Sequence, residues 1–148
     1  MELNTMTPSI KEIQDQTIED FSLFDESDEK YSYIIELGRK LSTLDEKYKI
    51  PANEIKGCQS KVWLNSYLDN DKVMFEADSD GAISKGVISL LIKVLSGHQP
   101  DEIINTELYF IDKIGMNSLL SMNRANGLSS MVKTMKMHAL AYKAKLTN

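Results

Sequence analysis

The chemistry open to this 148-residue chain rests on few side chains: one cysteine, Cys58, and two histidines, His98 and His138. One thiol cannot close an internal disulfide, build a cysteine zinc site or hold an iron–sulfur cluster by itself. The histidines lie far apart, with no H-x-x-x-H pair and no carboxylate at ligand spacing, so both read as structural or surface residues. Gly81 and Gly86 have the spacing of a phosphate loop, but Lys85 precedes the second glycine and Val87-Ile88 follow it. A phosphate loop needs Lys and then Ser or Thr after that glycine, so this segment is not one. No Gly-x-Ser-x-Gly nucleophile elbow is present. The methionines from Met116 onward read as core filler.

Cys58 differs from these by its setting. It lies in Ile55-Lys56-Gly57-Cys58-Gln59-Ser60-Lys61-Val62-Trp63, where a loop passes into a strand. Gly57 frees the backbone there, and Lys56 and Lys61 flank the thiol, where cations stabilise a thiolate. The residues alone leave two readings open: a small buried apolar side chain, or a reactive thiol.

The elements that must position this loop are legible from period and punctuation. Ser9-x-x-Glu12 is a capping-box signature, followed at helical spacing by Ile10, Ile13, Thr17, Ile18, Phe21 and Phe24. A second helix starts near Ser27 or Asp28, carries Tyr31, Ile34, Ile35, Gly38 and Leu41 on one face, and ends before Pro51. From Ser60 the period becomes two: Val62, Leu64, Ser66 and Leu68 share one face, and Lys61, Trp63, Asn65 and Tyr67 the other. Asp69-Asn70-Asp71 is a hairpin loop, and Val73, Phe75 and Ala77 return as a second strand. Glu54 to Lys56 is expected as a weak third, edge strand. Helical spacing resumes after Asp78-Ser79-Asp80-Gly81, with Ile83, Val87, Leu90, Leu91 and Val94 apolar and Gly97 as the stop. Asp80 is expected to cap this helix. A short helix opens at Pro100, a broken helical stretch covers Leu108 to Ile114, and a last helix runs from Ser121 to about Lys145. A short antiparallel sheet of about three strands flanked by helices makes an α+β fold.

Composition and charge narrow the class. Apolar residues at 42% and charged residues at 26% are ordinary for a globular chain. The net charge of −5 is uneven: the basic and acidic side chains sum to −9 over residues 1–80 and +4 over 81–148. An acidic half argues against a general nucleic-acid binder. The basic excess is either a solvated face or a surface that steers a protein partner. The first eight residues form no basic and apolar run, so a secretory leader is not expected there. The most apolar run, Val87 to Leu95, is broken by Ser89 and Lys93 and falls short of the roughly 20 residues that span a bilayer. A cytoplasmic protein without nucleic-acid or membrane partners is expected, as one domain over 1–148 with residues 1–8 and 146–148 frayed.

The string Gly57-Cys58-Gln59-Ser60-Lys61-Val62-Trp63 closely resembles the active-cysteine segment of the SufE family of sulfur acceptors. Ser79-Asp80-Gly81-Ala82-Ile83-Ser84-Lys85-Gly86 is similar to that family's S-D-x-A-I-x-K-G block, with Gly81 where Ala is usual. Asn123-Arg124-Ala125-Asn126-Gly127-Leu128 is similar to its block of Arg, two residues, Gly and Leu, and Tyr33-Ile34-Ile35-Glu36-Leu37-Gly38 matches a further helix. Leu120-Ser121-Met122-Asn123-Arg124 departs from the usual Thr-Pro-x-Arg, but Ser121 can still cap the helix. The blocks fall in family order over roughly residues 10–145.

The resemblance implies the α+β fold shared with cluster scaffolds of the IscU type. It also implies a role beside a SufS-type cysteine desulfurase, with Cys58 accepting persulfide sulfur, stimulating the enzyme and passing sulfur to a SufBCD-type scaffold. The pyridoxal cofactor belongs to the desulfurase, so no cofactor or metal is expected here, and no independent turnover. Gly57, Gln59, Asp80 and Arg124 are the expected supporting residues. Arg124 is a cation for the sulfur's charge or for docking, or a plain helix-end residue. Asp80 is also a candidate for holding the cysteine loop down, whereas Lys85 reads as solvated. A homodimer is left open. The competing readings are a non-covalent adaptor, a cluster carrier in which two chains each supply Cys58, and a stand-alone thiol peroxidase or hydrolase.

Overall fold

The computed structural model describes residues 8–147. Helix α1 (Ile10–Phe21) opens on the expected capping box: Ser9 Oγ accepts from the Glu12 amide at 3.0 Å, and Glu12 Oε1 accepts from the Ser9 amide at 2.8 Å. Helix α2 (Ser27–Arg39) follows, and single 3₁₀ turns at Glu46–Tyr48 and Pro51–Asn53 lead to the cysteine loop. Strands β1 (Val62–Asp69) and β2 (Lys72–Ser79) pair antiparallel, with Leu64 opposite Ala77 and Ser66 opposite Phe75. Asn70 and Asp71 close the hairpin at φ 52° and 65°. Both lie in the left-handed region that a two-residue turn of the favoured twist demands, and Asn and Asp tolerate it best after Gly.

The edge strand expected over Glu54 to Lys56 is reduced to one bridge, Glu54 to Trp63, beside the Ile55 amide's bond to the Val62 carbonyl at 2.8 Å. The 3₁₀ turn ends at Asn53 and Gly57 turns the chain away at φ 86°, which leaves no length for a ladder. Among the described residues the sheet has two strands, and the fold is α+β.

Helix α3 (Ala82–Leu95) is the centre of the packing. Ile83, Val87, Ile88, Leu90, Leu91, Val94 and Leu95 are all buried, so the helix is apolar around most of its circumference. It packs against β2, α1, α2 and α7. Its crossing with α2 is set by two glycines. A Cβ on Gly86 would lie 2.2 Å from the Ile34 carbonyl oxygen, and one on Gly38 would lie 2.6 Å from the Gly86 nitrogen. Backbone meets backbone there, so no larger residue fits without moving a helix.

Short helices α4 (Pro100–Asn105), α5 (Phe110–Lys113) and α6 (Met116–Leu119) lead to the long α7 (Met122–Leu146). Ser121 caps α7, its side chain accepting from the Arg124 amide at 3.3 Å. Met116, Met131 and Met135 fill the core as expected. Met122 and Met137 do not: they are 81% and 59% exposed on the solvent side of α7. Of the ends expected to fray, residues 1–7 and 148 lie outside the described residues. Pro8 offers its carbonyl to His98 at 2.9 Å, and Leu146 is the last residue of α7. No helix among the described residues is long and apolar enough to cross a membrane.

Candidate functional site

Cys58 sits in the loop between the second 3₁₀ turn and β1, half-buried at the edge of the core. The loop is held at both ends. At its start, Gly57 lies against α7, where a Cβ would come within 2.8 Å of Ser130 Oγ. With φ at 86° as well, both space and backbone conformation select glycine. At its end, the Lys61 amide donates to Asp80 Oδ1 at 2.9 Å. The Lys61 carbonyl accepts from Ser79 Oγ at 2.7 Å and from the Asp80 amide at 3.2 Å.

This corrects the cap expected of Asp80. The N-cap of α3 is Gly81, without a side-chain cap bond, and the Asp80 carboxylate instead accepts from the Lys61 amide just ahead of β1. Asp80 is thus a fastening of the loop.

The thiol faces a small enclosed pocket lined by Cys58, Gln59, Ser84, Arg124, Gly127 and Met131, with Ile83 and Val87 completing the wall. Its free volume is about 10 Å³, room for about one water-sized atom. The Cys58 thiol donates to the Gly127 carbonyl at 3.8 Å, a bond only the protonated form can make. Burial pushes the Cys58 thiol up from its ordinary value. The expected activation by Lys56 and Lys61 is therefore not found. Both lysines are exposed, their heads solvated, and the thiol's shift runs the other way.

Of the residues expected to act with Cys58, Gln59 and Arg124 share its pocket, whereas Gly57 and Asp80 hold the loop from outside. Arg124 reaches the pocket from the first turn of α7. One of its terminal nitrogens, Nη1, donates to the Tyr31 hydroxyl of α2 at 3.5 Å, and its Nε is buried with no hydrogen-bond partner among the described residues. Gly127, Met131 and Ser84 were not singled out as pocket residues from the sequence. The signal was present: Arg124, Gly127 and Met131 stand at i, i+3 and i+7, one face of one helix.

Lys85, expected as solvated, instead pairs with Asp78 Oδ1 at 3.2 Å, and Lys49 pairs with Asp78 Oδ2 at 3.0 Å. Burial works against the Asp78 carboxylate, but bonds from Lys49, the Ser79 amide and Lys85 outweigh it and hold the group below its ordinary value. Lys49 also lies 5.7 Å from the centre of the Trp63 ring. This cluster fastens the 3₁₀ segment to the hairpin just ahead of the loop. The histidines are structural, as expected. His98 is buried and spans the Leu95 and Pro8 carbonyls. His138 Nδ1 meets Ser66 Oγ at 2.7 Å, tying α7 to β1. No group of metal-ligating side chains forms among the described residues.

A helix-wrapped hairpin that presents one half-buried thiol on a tethered loop defines a thiol-bearing α+β domain. The family model described as "SufE: Fe-S metabolism associated domain" matches residues 15–139. The chain belongs to the SufE family, and its role lies in iron–sulfur metabolism. It is 37% identical over 130 residues to an uncharacterized SufE-like protein of Rhizobium meliloti, covering 84% of this chain and 93% of that one. A SufE-like protein of Synechocystis is 34% identical, covering 93% and 84% respectively. The Arabidopsis protein named SufE-like protein 1, chloroplastic/mitochondrial, is 34% identical over 97% of this chain and 38% of its own length. The solution structure of a hypothetical protein from Thermus thermophilus shares the fold, at a TM-score of 0.74 and 15% identity, covering 89% of this chain and 96% of that one.

Proposed function

We propose that this protein is a sulfur acceptor that takes persulfide sulfur on Cys58 from a SufS-type cysteine desulfurase, stimulates that enzyme, and passes the sulfur to a SufBCD-type cluster scaffold. The observation that carries this reading is the placement of the chain's one thiol on a tethered loop over a pocket with room for one more atom. In the transfer, the Cys58 thiolate attacks the terminal sulfur of the donor's persulfide. The donor's sulfur–sulfur bond breaks, its own sulfur leaves as thiolate, and a new bond forms between Cys58 and the sulfur transferred. Donor and final acceptor are other proteins, so one thiol is sufficient and the protein has no turnover of its own. Cytoplasmic residence belongs to the same proposal.

The closed loop explains how the thiol survives between encounters. Its raised pKa and its bond to the Gly127 carbonyl keep it protonated and slow to oxidise. Transfer requires the loop to open, with Gly57 and the Lys61–Asp80 contact at its two ends. Gln59 moves with the thiol.

The test is mass spectrometry after incubation with desulfurase, its cofactor and cysteine. One added sulfur on Cys58, removed by a thiol reductant, is expected. Absence of the adduct together with full desulfurase stimulation by Cys58→Ser would leave a non-covalent adaptor in its place.

A further inference from the structure

We infer that Gly81 is a positioning residue for Cys58: the side chain missing at the start of α3 leaves a seat for Ser60, and Ser60 in that seat holds the thiol in its closed position. The inference rests on the sulfur-acceptor reading above and deepens it, since it names a residue that sets a donor's access to the thiol.

Three observations meet at this corner. The first is space. A Cβ on Gly81 would overlap Ser60 Oγ and lie 2.7 Å from Ser60 Cβ, where carbon atoms pack at about 3.5–4.0 Å. The hydroxyl could rotate away, but a Cβ is fixed to the backbone, so the loop itself would have to shift. The second is conformation. Gly81 stands at φ −108° and ψ 132°, extended backbone that any residue adopts, so space alone selects glycine here. The third is the wiring around the seat. The Gly81 amide donates to Ser79 Oγ at 3.1 Å, and that hydroxyl donates to the Lys61 carbonyl at 2.7 Å. One hydroxyl thus joins the cap residue of α3 to the residue after Ser60. Ser60 lies between that tie and the thiol, two residues beyond Cys58. The seat is particular to this chain, which has Gly81 where the similar block of the family usually has Ala.

Burial decides which side yields to a larger residue. Helix α3 packs against β2, α1, α2 and α7, and Ile83, just beyond the cap, is 3% exposed. The loop is half-buried at Ser60 and exposed at Gln59 and Lys61. A side chain at position 81 therefore lifts the loop and leaves the helix in place. Overpacking by one carbon shifts an equilibrium roughly fivefold to a hundredfold. The shift falls on the closed state alone, because the open loop leaves the seat empty. A steric fit thus adds to the hydrogen bond between Lys61 and Asp80 in keeping the thiol closed.

The inference is tested by a double-mutant cycle on the full chain, read by iodoacetamide alkylation of Cys58, which needs no desulfurase. Gly81→Ala is expected to alkylate about tenfold faster than the parent, with its fold intact by circular dichroism. Ser60→Gly vacates the space that the new methyl needs. Adding Gly81→Ala to that background should change the rate by less than about twofold. Ser60→Ala keeps its Cβ in the seat, so adding Gly81→Ala to it should still accelerate alkylation several-fold. Rescue by Ser60→Gly and not by Ser60→Ala separates a seat for Ser60 from a general loss of stability, which neither change would repair. The inference is overturned by a folded Gly81→Ala protein that alkylates at the parental rate, or by one that loses its fold. An acceleration equally large in the Ser60→Gly background overturns it too. Sulfur uptake from desulfurase and cysteine should rise in the same order across the variants. If no variant takes up sulfur, the acceptor reading fails, while the alkylation cycle still decides the seat.

Discussion

The fastening of the cysteine loop by Asp80 has a measurable consequence for how often Cys58 is exposed. Three hydrogen bonds join Lys61 to the Ser79–Asp80 segment, and the Asp80 side chain makes one of them, from the Lys61 amide at 2.9 Å. Asp80→Ala removes that bond and leaves the two at the Lys61 carbonyl in place. The site is solvent-exposed, so the lost bond is worth about 1 kcal/mol rather than the larger value of a buried charged one. The population of the open loop should then rise about fivefold. Alkylation of Cys58 by iodoacetamide reports this directly. The closed thiol is shielded and protonated, and when the loop opens and closes quickly the rate follows the open fraction. The expected result at neutral pH is about fivefold faster alkylation in Asp80→Ala, with a thermal midpoint lowered by no more than about 4 °C. Asp80→Asn retains an acceptor oxygen and should stay within about twofold of the parent. A folded Asp80→Ala protein that alkylates at the parental rate would refute the assignment of Asp80 to the loop.

Two further outcomes follow from the packing. Gly86→Ala places a Cβ 2.2 Å from the Ile34 carbonyl oxygen. Neither backbone can yield, so α2 and α3 must separate at a cost of about 3 kcal/mol, lowering the thermal midpoint by roughly 10 °C; a midpoint within about 2 °C of the parent would contradict the crossing. His138 is held below its ordinary value by burial beside Ser66 and Phe75. On acidification the unfolded chain takes up this proton before the folded one does. The ring's contribution is therefore whole above the ordinary histidine range and drains as pH falls through it toward the folded value. Thermal melts at about pH 7.5 and 5.5 should show a smaller loss for His138→Gln than for the parent, and equal losses would remove His138 from the acid response.

The local architecture could be read from the chain with little error. The capping box at Ser9 and Glu12, the hairpin at Asn70-Asp71 and the N-cap at Ser121 depend on a few neighbouring residues, and each formed as the residues require. The two-residue alternation from Val62 to Leu68 likewise marked its inward face, where Val62 and Leu64 are buried. The weakly signalled edge strand over Glu54 to Lys56 shortened to one bridge because a 3₁₀ turn and Gly57 left it no length. Met122 and Met137 failed because composition does not say which side of a helix faces the core.

Cys58 stood out in the sequence as the one thiol, in a glycine-marked loop beside a strand, but the residues alone left a small buried apolar side chain equally open. The surroundings of the thiol were not legible there. Gly127 is 69 residues away in the chain and Tyr31 lies 93 from Arg124, so their meeting depends on how α7 and α2 pack around α3. The same holds for Asp80, which looks forward to a helix in the sequence but bonds back to Lys61. It holds for Lys85, which finds a buried carboxylate in place of solvent. It holds above all for the thiol's ionisation, where nearby lysines suggested a downward shift and burial produced an upward one. Backbone preferences and short-range caps act over a turn or two and are written in the sequence itself. Burial, pocket volume and the pairing of distant charges exist only once the chain has folded, and so only the tertiary structure decided them.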